Sequence, residues 1–286
     1  MVFRKLYGVA LLAGLGAFSG AGVTEGLLLY APMDGSETAV VGNGKPVRQQ
    51  KLKLVPGKFG QAVRLEGSAK LAYPGKGNID LFRGTAAMWV RKDRPWSEKR
   101  SYRILKAVAG KSWNENAFYI GGTRWDELSV AQHDRNQTRN LVLSPNRISW
   151  PAGEWQHLAV TWNGPEIRVY MNGQEISYKT PSNPMREAPE GVPYRIEIGS
   201  ETGDSEVLNG EIDELRIYNR ALTPEEIGAL AFPDAPRAER EAEMQKLYEY
   251  ENELLCHCGG ILYPGLPETL AALAQKYALF VVSNSQ

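Results

Sequence analysis

Cysteine is the scarcest side chain here, with two in 286 residues, Cys256 and Cys258. Separated by one residue, they would make a poor disulfide with each other, and Cys256-His257-Cys258 lacks the second ligand pair of a structural zinc site. A disulfide-stapled scaffold is therefore excluded. Whatever folds upstream is held by apolar burial, which a domain of about two hundred residues can supply. An excess of one charge is lacking as well: 33 basic and 33 acidic residues cancel, so no global field draws nucleic acid or an anionic membrane surface. There are three histidines, and no serine or cysteine stands in a Gly-x-Ser-x-Gly nucleophile motif, so His157 is expected to be a packed structural histidine. No apolar run is long enough to span a bilayer comfortably, and no internal repeat of fixed period is present.

What the chain does contain is a series of short apolar runs punctuated by glycine, proline and asparagine. That is the spacing of an antiparallel sandwich rather than of helices alternating with strands. Residues 1–22 differ, with Arg4 and Lys5, the apolar stretch Leu6 to Phe18, then Ser19, Gly20, Ala21 and Gly22. This is the order of a secretory signal peptide, with an uncleaved anchor as the alternative. The chain is therefore expected to be secreted, periplasmic or on the cell surface, and not membrane-spanning after cleavage.

Within the sandwich region, Ile167, Val169 and Met171 alternate with Glu166, Arg168 and Tyr170, which places the first three inward. Asn163-Gly164 and Asn172-Gly173 bracket that strand and supply the positive φ angles that tight hairpins require. Leu158, Val160 and Trp162 are expected to face inward on the preceding strand, with His157, Ala159 and Thr161 on its other side. From Gly210 to Leu222 the chain reads as a strand, with Asp213, Leu215 and Ile217 on one face and Glu214, Arg216 and Tyr218 on the other. A short helix follows, because Thr223 can N-cap, Pro224 suits the first helical position and Glu226 completes a capping box.

These residues, in this order, resemble the LamG-like jelly rolls of the concanavalin A-like lectin and glucanase superfamily. Leu28 to Ser36 is similar to that family's first strand, Gly57 to Gly67 to its second, and Thr85 to Asp93 to the strand carrying an aromatic core residue. Trp155 to Ile176 is the most specific match. The resemblance implies an all-β, antiparallel two-sheet jelly-roll sandwich over residues 24–232, followed by a short α/β tail over residues 233–286. In the tail, Leu279 to Val282 followed by Ser283 and Asn284 resembles the strand before the second motif of haloacid dehalogenase-like phosphohydrolases, where a hydroxyl helps hold phosphate. No Asp-x-Asp motif occurs anywhere in the sequence, so the nucleophile of that family is missing and the tail reads as an incomplete fragment.

Glucan hydrolases of the sandwich superfamily carry Glu-x-Asp-x-Glu on one strand, since alternate residues share a face and aim three carboxylates into one cleft. Here Glu211 and Asp213 match, but Leu215 holds the third place and Arg216 the place a bulged variant would need. No catalytic residue is assigned. The resemblance also implies that the first and last strands are neighbours. That would bring Asp34 near Asp213, as ligands of a structural calcium or, alternatively, as a turn residue and a strand cap bonded to backbone amides. Trp89, Trp155 and Trp162 sit in strong strand patterns and read as core. Trp113 and Trp125 sit among polar residues, and with Arg124, Asp126 and His133 they are the candidate ligand-binding residues, unless the tryptophans only cover sandwich edges. The expected function is a secreted, non-catalytic recognition module for a glycan or cell-surface polysaccharide. The alternatives are a protein-binding adhesion or scaffold domain and, more remotely, a glycosidase or a phosphohydrolase remnant.

Overall fold

A computed structural model describes residues 23–93, 101–109, 116–123, 127–133, 139–143, 150–176, 187–188, 191–199 and 206–233. The segments 1–22 and 234–286, expected to be a leader and a phosphohydrolase-like tail with Ser283 and Asn284, lie outside the described residues. By its contacts the chain divides into two units, residues 1–241 and 242–286, of which the first holds every described residue.

Alternating inward residues build two antiparallel sheets. One contains β1 (Leu27–Ala31), β3 (Lys53–Pro56), β4 (Gln61–Leu65), β6 (Arg83–Lys92), β11 (Trp155–Asn163), β12 (Glu166–Met171), β13 (Gln174–Glu175) and β15 (Gly210–Tyr218). Its order is β13-β12-β11-β6-β15-β4-β3, with β1 also pairing β15. The other contains β2 (Arg48–Gln50), β5 (Lys70–Pro74), β7 (Tyr102–Val108), β8 (Ala117–Gly122), β9 (Leu128–His133), β10 (Arg139–Leu143) and β14 (Arg195–Ile198). Its order is β10-β9-β8-β7-β14-β5-β2, so the all-β, two-sheet jelly-roll expectation holds.

Leu158, Val160, Trp162, Ile167, Val169 and Met171 all lie in the core between the sheets, as their period of two requires. The second hairpin turns on Asn172 and Gly173, both at positive φ (49° and 84°). In the first, Asn163 remains in the strand opposite Glu166, and Gly164 alone takes positive φ, at 59°. Proline at residue 165 accounts for the difference, because its ring fixes φ near −65° and shifts the turn by one position.

The helix α1 (Pro224–Ala231) has the expected cap: Thr223 accepts from the Glu226 amide, and the Glu226 carboxylate accepts from the Thr223 amide at 2.9 Å. Ile227 and Leu230 pack on Ala87, Ala159, Tyr170 and Tyr218 at one end of the outer face of the eight-stranded sheet. The Thr85 hydroxyl anchors the connection, donating to the Arg220 carbonyl at 2.7 Å and accepting from the Leu222 amide at 2.9 Å. Thr223→Ala is expected to cost about 1 kcal/mol, measured by urea unfolding. No change in midpoint would mean that this helix contributes nothing to global stability.

The reading of β15 as one regular strand requires correction. A bulge falls between Asp213 and Arg216, with Glu214 at φ 55°, so Asp213 pairs with Trp89 and Arg216 with Ala87. One extra residue reverses the alternation. Leu215 and Ile217 stay in the core, whereas Asp213 lies on the outer face with Glu211 and Arg216. The cause is tertiary: β4 pairs with residues 210–212 of β15, and β1 takes over from Leu215.

Candidate functional site

The outer face of the eight-stranded sheet carries the acids that the sequence singled out, and each is engaged. Glu211 accepts from Arg64 at 2.6 Å and from Arg91 at 2.9 Å, and only 5 % of its surface is exposed. Glu214 binds Arg216 and accepts from the Tyr30 hydroxyl at 3.0 Å, while the Arg216 guanidinium lies 4.2 Å from the Tyr30 ring centre. The bulge makes residue 216 the one that shares a face with Glu211 and Asp213, and that residue is a cation.

Asp34 and Asp213 are drawn to the same turn. Asp213 Oδ2 accepts from the Lys58 and Phe59 amides at 2.9 and 3.0 Å, and Asp34 Oδ1 accepts from the Gln61 amide at 2.7 Å. Glycine is required at both points of approach. A Cβ on Gly57 would sit 2.6 Å from Asp213 Oδ2, and one on Gly60, at φ 47°, would sit 2.0 Å from Asp34 Oδ1. As a calcium set the pair does not fit. Calcium takes six to eight oxygens, whereas one oxygen of each carboxylate is taken up by amide hydrogens and Asp213, whose Oδ1 has no hydrogen-bond partner, is fully enclosed. Among the described residues no three acidic, histidine or cysteine side chains gather around a point. The turn-and-cap alternative describes what both residues do.

That turn lies over Trp89, with Lys58 Nζ 4.5 Å from its ring and Phe59 edge-on at 6.2 Å. His157 approaches the same ring from β11, with centroids 5.4 Å apart. Trp89 is therefore buried on the outer face rather than in the core where it was expected, while Trp162 is a core residue and Trp155 is half-buried beside Arg91. Burial pushes the Asp213 carboxyl up to about 7; the charge of Glu214 adds to this, and the turn amides oppose it. Burial, reinforced by the charge of Arg216, lowers His157 to about 3. His157 is thus a neutral packed histidine, as expected.

Of the candidate ligand residues, Trp113, Arg124, Trp125 and Asp126 lie outside the described residues. His133, the remaining candidate, is a strand residue and is not open to a ligand. It ends β9 with 4 % of its surface exposed, its ring 5.7 Å from that of Tyr119, because Ala117 and Arg139 pair with it on either side.

The structure instead presents an aromatic ring that the sequence reading missed. Tyr194, half exposed, lines an open groove of about 390 Å³ with Val47, Arg48 and Arg195. Both walls hang on β5. The Val47 amide donates to the Ala72 carbonyl at 2.8 Å, and the Gly75 amide donates to the Tyr194 carbonyl at 3.3 Å. Across the sheet, Arg48, Ala72 and Glu197 stand in one row, so the smallest side chain lies between two long ones. Arg195 donates to Glu197 at 2.8 Å and lies 4.7 Å from the Tyr194 ring centre, polarising one face. Two signals were available in the sequence, the Val47-Arg48 pair and the Tyr194-Arg195 pair. Neither stood out without the sheet that brings them together.

A laminin G-type family model, described as the concanavalin A-like lectin/glucanases superfamily, matches residues 34–228. Human adhesion G-protein coupled receptor D1 is 34% identical over 130 residues, which are 44% of this chain; the chain spans only 14% of that receptor. Among solved structures, domain 4 of AbnA, a GH43 extracellular arabinanase from Geobacillus stearothermophilus in complex with arabinotriose, superposes with a TM-score of 0.56 at 21% identity. That match covers 72% of this chain and all of that one. A structure of botulinum neurotoxin type C, whose cell entry depends on interaction with two ganglioside molecules, gives 0.59 at 19% identity over 74% and 52% of the two chains. At these identities the likeness is one of fold.

Proposed function

The chain belongs to the concanavalin A-like lectin/glucanases superfamily through its laminin G-type domain, and from that premise we propose that it is an exported, non-catalytic module that recognises a glycan. The observation that carries this reading is the half-exposed Tyr194 ring in an open groove flanked by Arg48 and Arg195. A rigid aromatic with one polarised face offers apolar stacking to a pyranose, and the flanking guanidinium groups supply hydrogen-bond donors for its substituents. The complexes named for the arabinanase domain and the neurotoxin support the same reading by analogy of fold.

The acids give no support to hydrolysis. A retaining enzyme needs two carboxyl groups about 5 Å apart, flanking an open bond-cleavage site. Glu211 is held between two arginines and Asp213 by a turn. The phosphohydrolase-like tail, without its nucleophile, adds no second activity to the proposal.

The test is a glycan array probed with the full chain, in calcium and then in chelator, followed by titration of Tyr194→Ala against the best ligand. Binding is expected to persist in chelator, and the substitution to weaken it by about 2 kcal/mol, some thirtyfold in Kd. An unchanged affinity would remove the groove from the reading. A blank array from folded protein would favour the protein-binding scaffold alternative, for which Val40, Val47 and Val192, each more than half exposed, are the observation in favour.

A further inference from the structure

We propose that the Tyr194 groove selects an acidic sugar, with Arg48 gripping a uronate-type carboxylate while the pyranose lies on the ring; this rests on the glycan reading of the same groove. The argument begins with how the arginines are compensated. Arg64, Arg91, Arg103, Arg168, Arg216 and Arg220 each form an ion pair with a carboxylate at 3.2 Å or less. Arg83 lies 3.9 Å from Asp80, and Arg195 is bonded to Glu197. Among the arginines whose side chains are described, Arg48 alone has neither an ion pair nor a hydrogen bond.

Its position gives that vacancy a direction. Arg48 is half-buried on the edge strand β2, in the row Arg48–Ala72–Glu197, and lines the groove with Val47, Tyr194 and Arg195. Glu197, the acid on the far side of that row, is already bonded to Arg195, and Lys106 stands opposite it on β7. Among the described residues, no acid lines the groove beside Arg48. A guanidinium presents a planar fork of donors that matches a carboxylate in two parallel hydrogen bonds, and a partly shielded site strengthens that contact over its value in water. The backbone bonds at Val47 and Tyr194 fix the wall positions before any ligand arrives, which limits the ordering cost of binding.

The experiment titrates the full chain with tetragalacturonate and with its methyl ester, which keeps the apolar faces and hydroxyls but not the charge. The acid is expected to bind at least tenfold more tightly. Arg48→Gln should cost the acid at least tenfold, bringing it close to the ester, while weakening the ester by only a few-fold through the lost neutral hydrogen bonds, and Arg48→Lys should restore part of the difference. Arg48 lies at an edge with no internal partner, so thermal unfolding of both variants should match the parent. Equal binding of acid and ester, indifferent to Arg48→Gln, would overturn the carboxylate assignment. If Tyr194→Ala still abolished that equal binding, the glycan reading would survive it. Failure of both tetrasaccharides also overturns the inference, and a neutral array ligand lost in Tyr194→Ala would again leave the glycan reading standing. Binding of a sulfated sugar but not of the uronate would overturn the choice of carboxylate.

Discussion

Asp213→Asn is expected to stabilise the protein at pH 8, with the gain shrinking as the pH falls from about 7 toward 4. The folded Asp213 carboxyl titrates near 7 against an ordinary value of 3.8. Between those values the folded state holds a proton that the unfolded chain has released. Stability from this group is therefore fully present below about 3.8 and is lost as the pH rises through 7. The shift corresponds to a penalty on the order of 4 kcal/mol at pH 8, as an upper limit. Asparagine removes the charge, and its Oδ1 still accepts from the Lys58 and Phe59 amides. Asp213→Ala lacks that acceptor, leaves both amides unpaired and should destabilise at every pH.

His157 opposes this trend from the other side of Trp89. Its folded value near 3 lies below the ordinary 6.5, so its contribution is complete above about 6.5 and is lost as the pH falls toward 3. Between pH 4 and 6.5 the two slopes act in opposite directions, and the parent protein should be nearly flat there. Asp213→Asn should expose the His157 slope as a steeper acid loss. The charged groups beside this pair are Lys58 on the turn and Glu214 and Arg216 on β15. Denaturant unfolding at pH steps from 4 to 8 measures the effect. A gain from Asp213→Asn that did not vary with pH would show that the buried charge is not its source.

Trp162→Ala should cost about 3–5 kcal/mol, a large part of the 5–15 kcal/mol by which domains are ordinarily stable. Its ring is wholly buried, 4.3 Å from that of Phe118 on the opposite sheet, so it fills the space where the two layers meet. Its Nε1 donates to the Asp80 carbonyl at 2.9 Å, a bond that alanine leaves unmade. Gly84 lies flush beneath it, where a Cβ would come within 2.5 Å of the ring, and a glycine cannot fill the cavity. Trp162→Phe keeps most of the apolar contact and should lose about half as much. A loss below about 1.5 kcal/mol for alanine, by urea unfolding, would mean that the sheets close over the gap.

Trp162 and Asp213 also show where local pattern suffices. Trp162 was legible because a regular strand has a strict period of two, and its neighbours Leu158 and Val160 set the phase. The Asn172-Gly173 turn and the Thr223 cap were legible for a similar reason, since each depends on the φ angles or side-chain reach of adjacent residues. Asp213 was assigned to the wrong face because a bulge depends on which strands compete for the edge of β15, and β4 and β1 are distant in the chain. The shared target of Asp34 and Asp213 followed from the neighbouring of first and last strands, but not its nature as a backbone turn.

The sequence by itself thus determined the class of the domain, its hairpins, its capped helix and the break in the acid motif at Leu215 and Arg216. Those features are written in spacing and turn chemistry, which act over a few residues. Only the tertiary structure decided that His133 is buried, that Trp89 lies under a turn, and that Val47, Arg48, Tyr194 and Arg195 form one groove. Burial and juxtaposition depend on which strands lie side by side, and here β2 and β14 meet through β5 because two sheets must cover a common core.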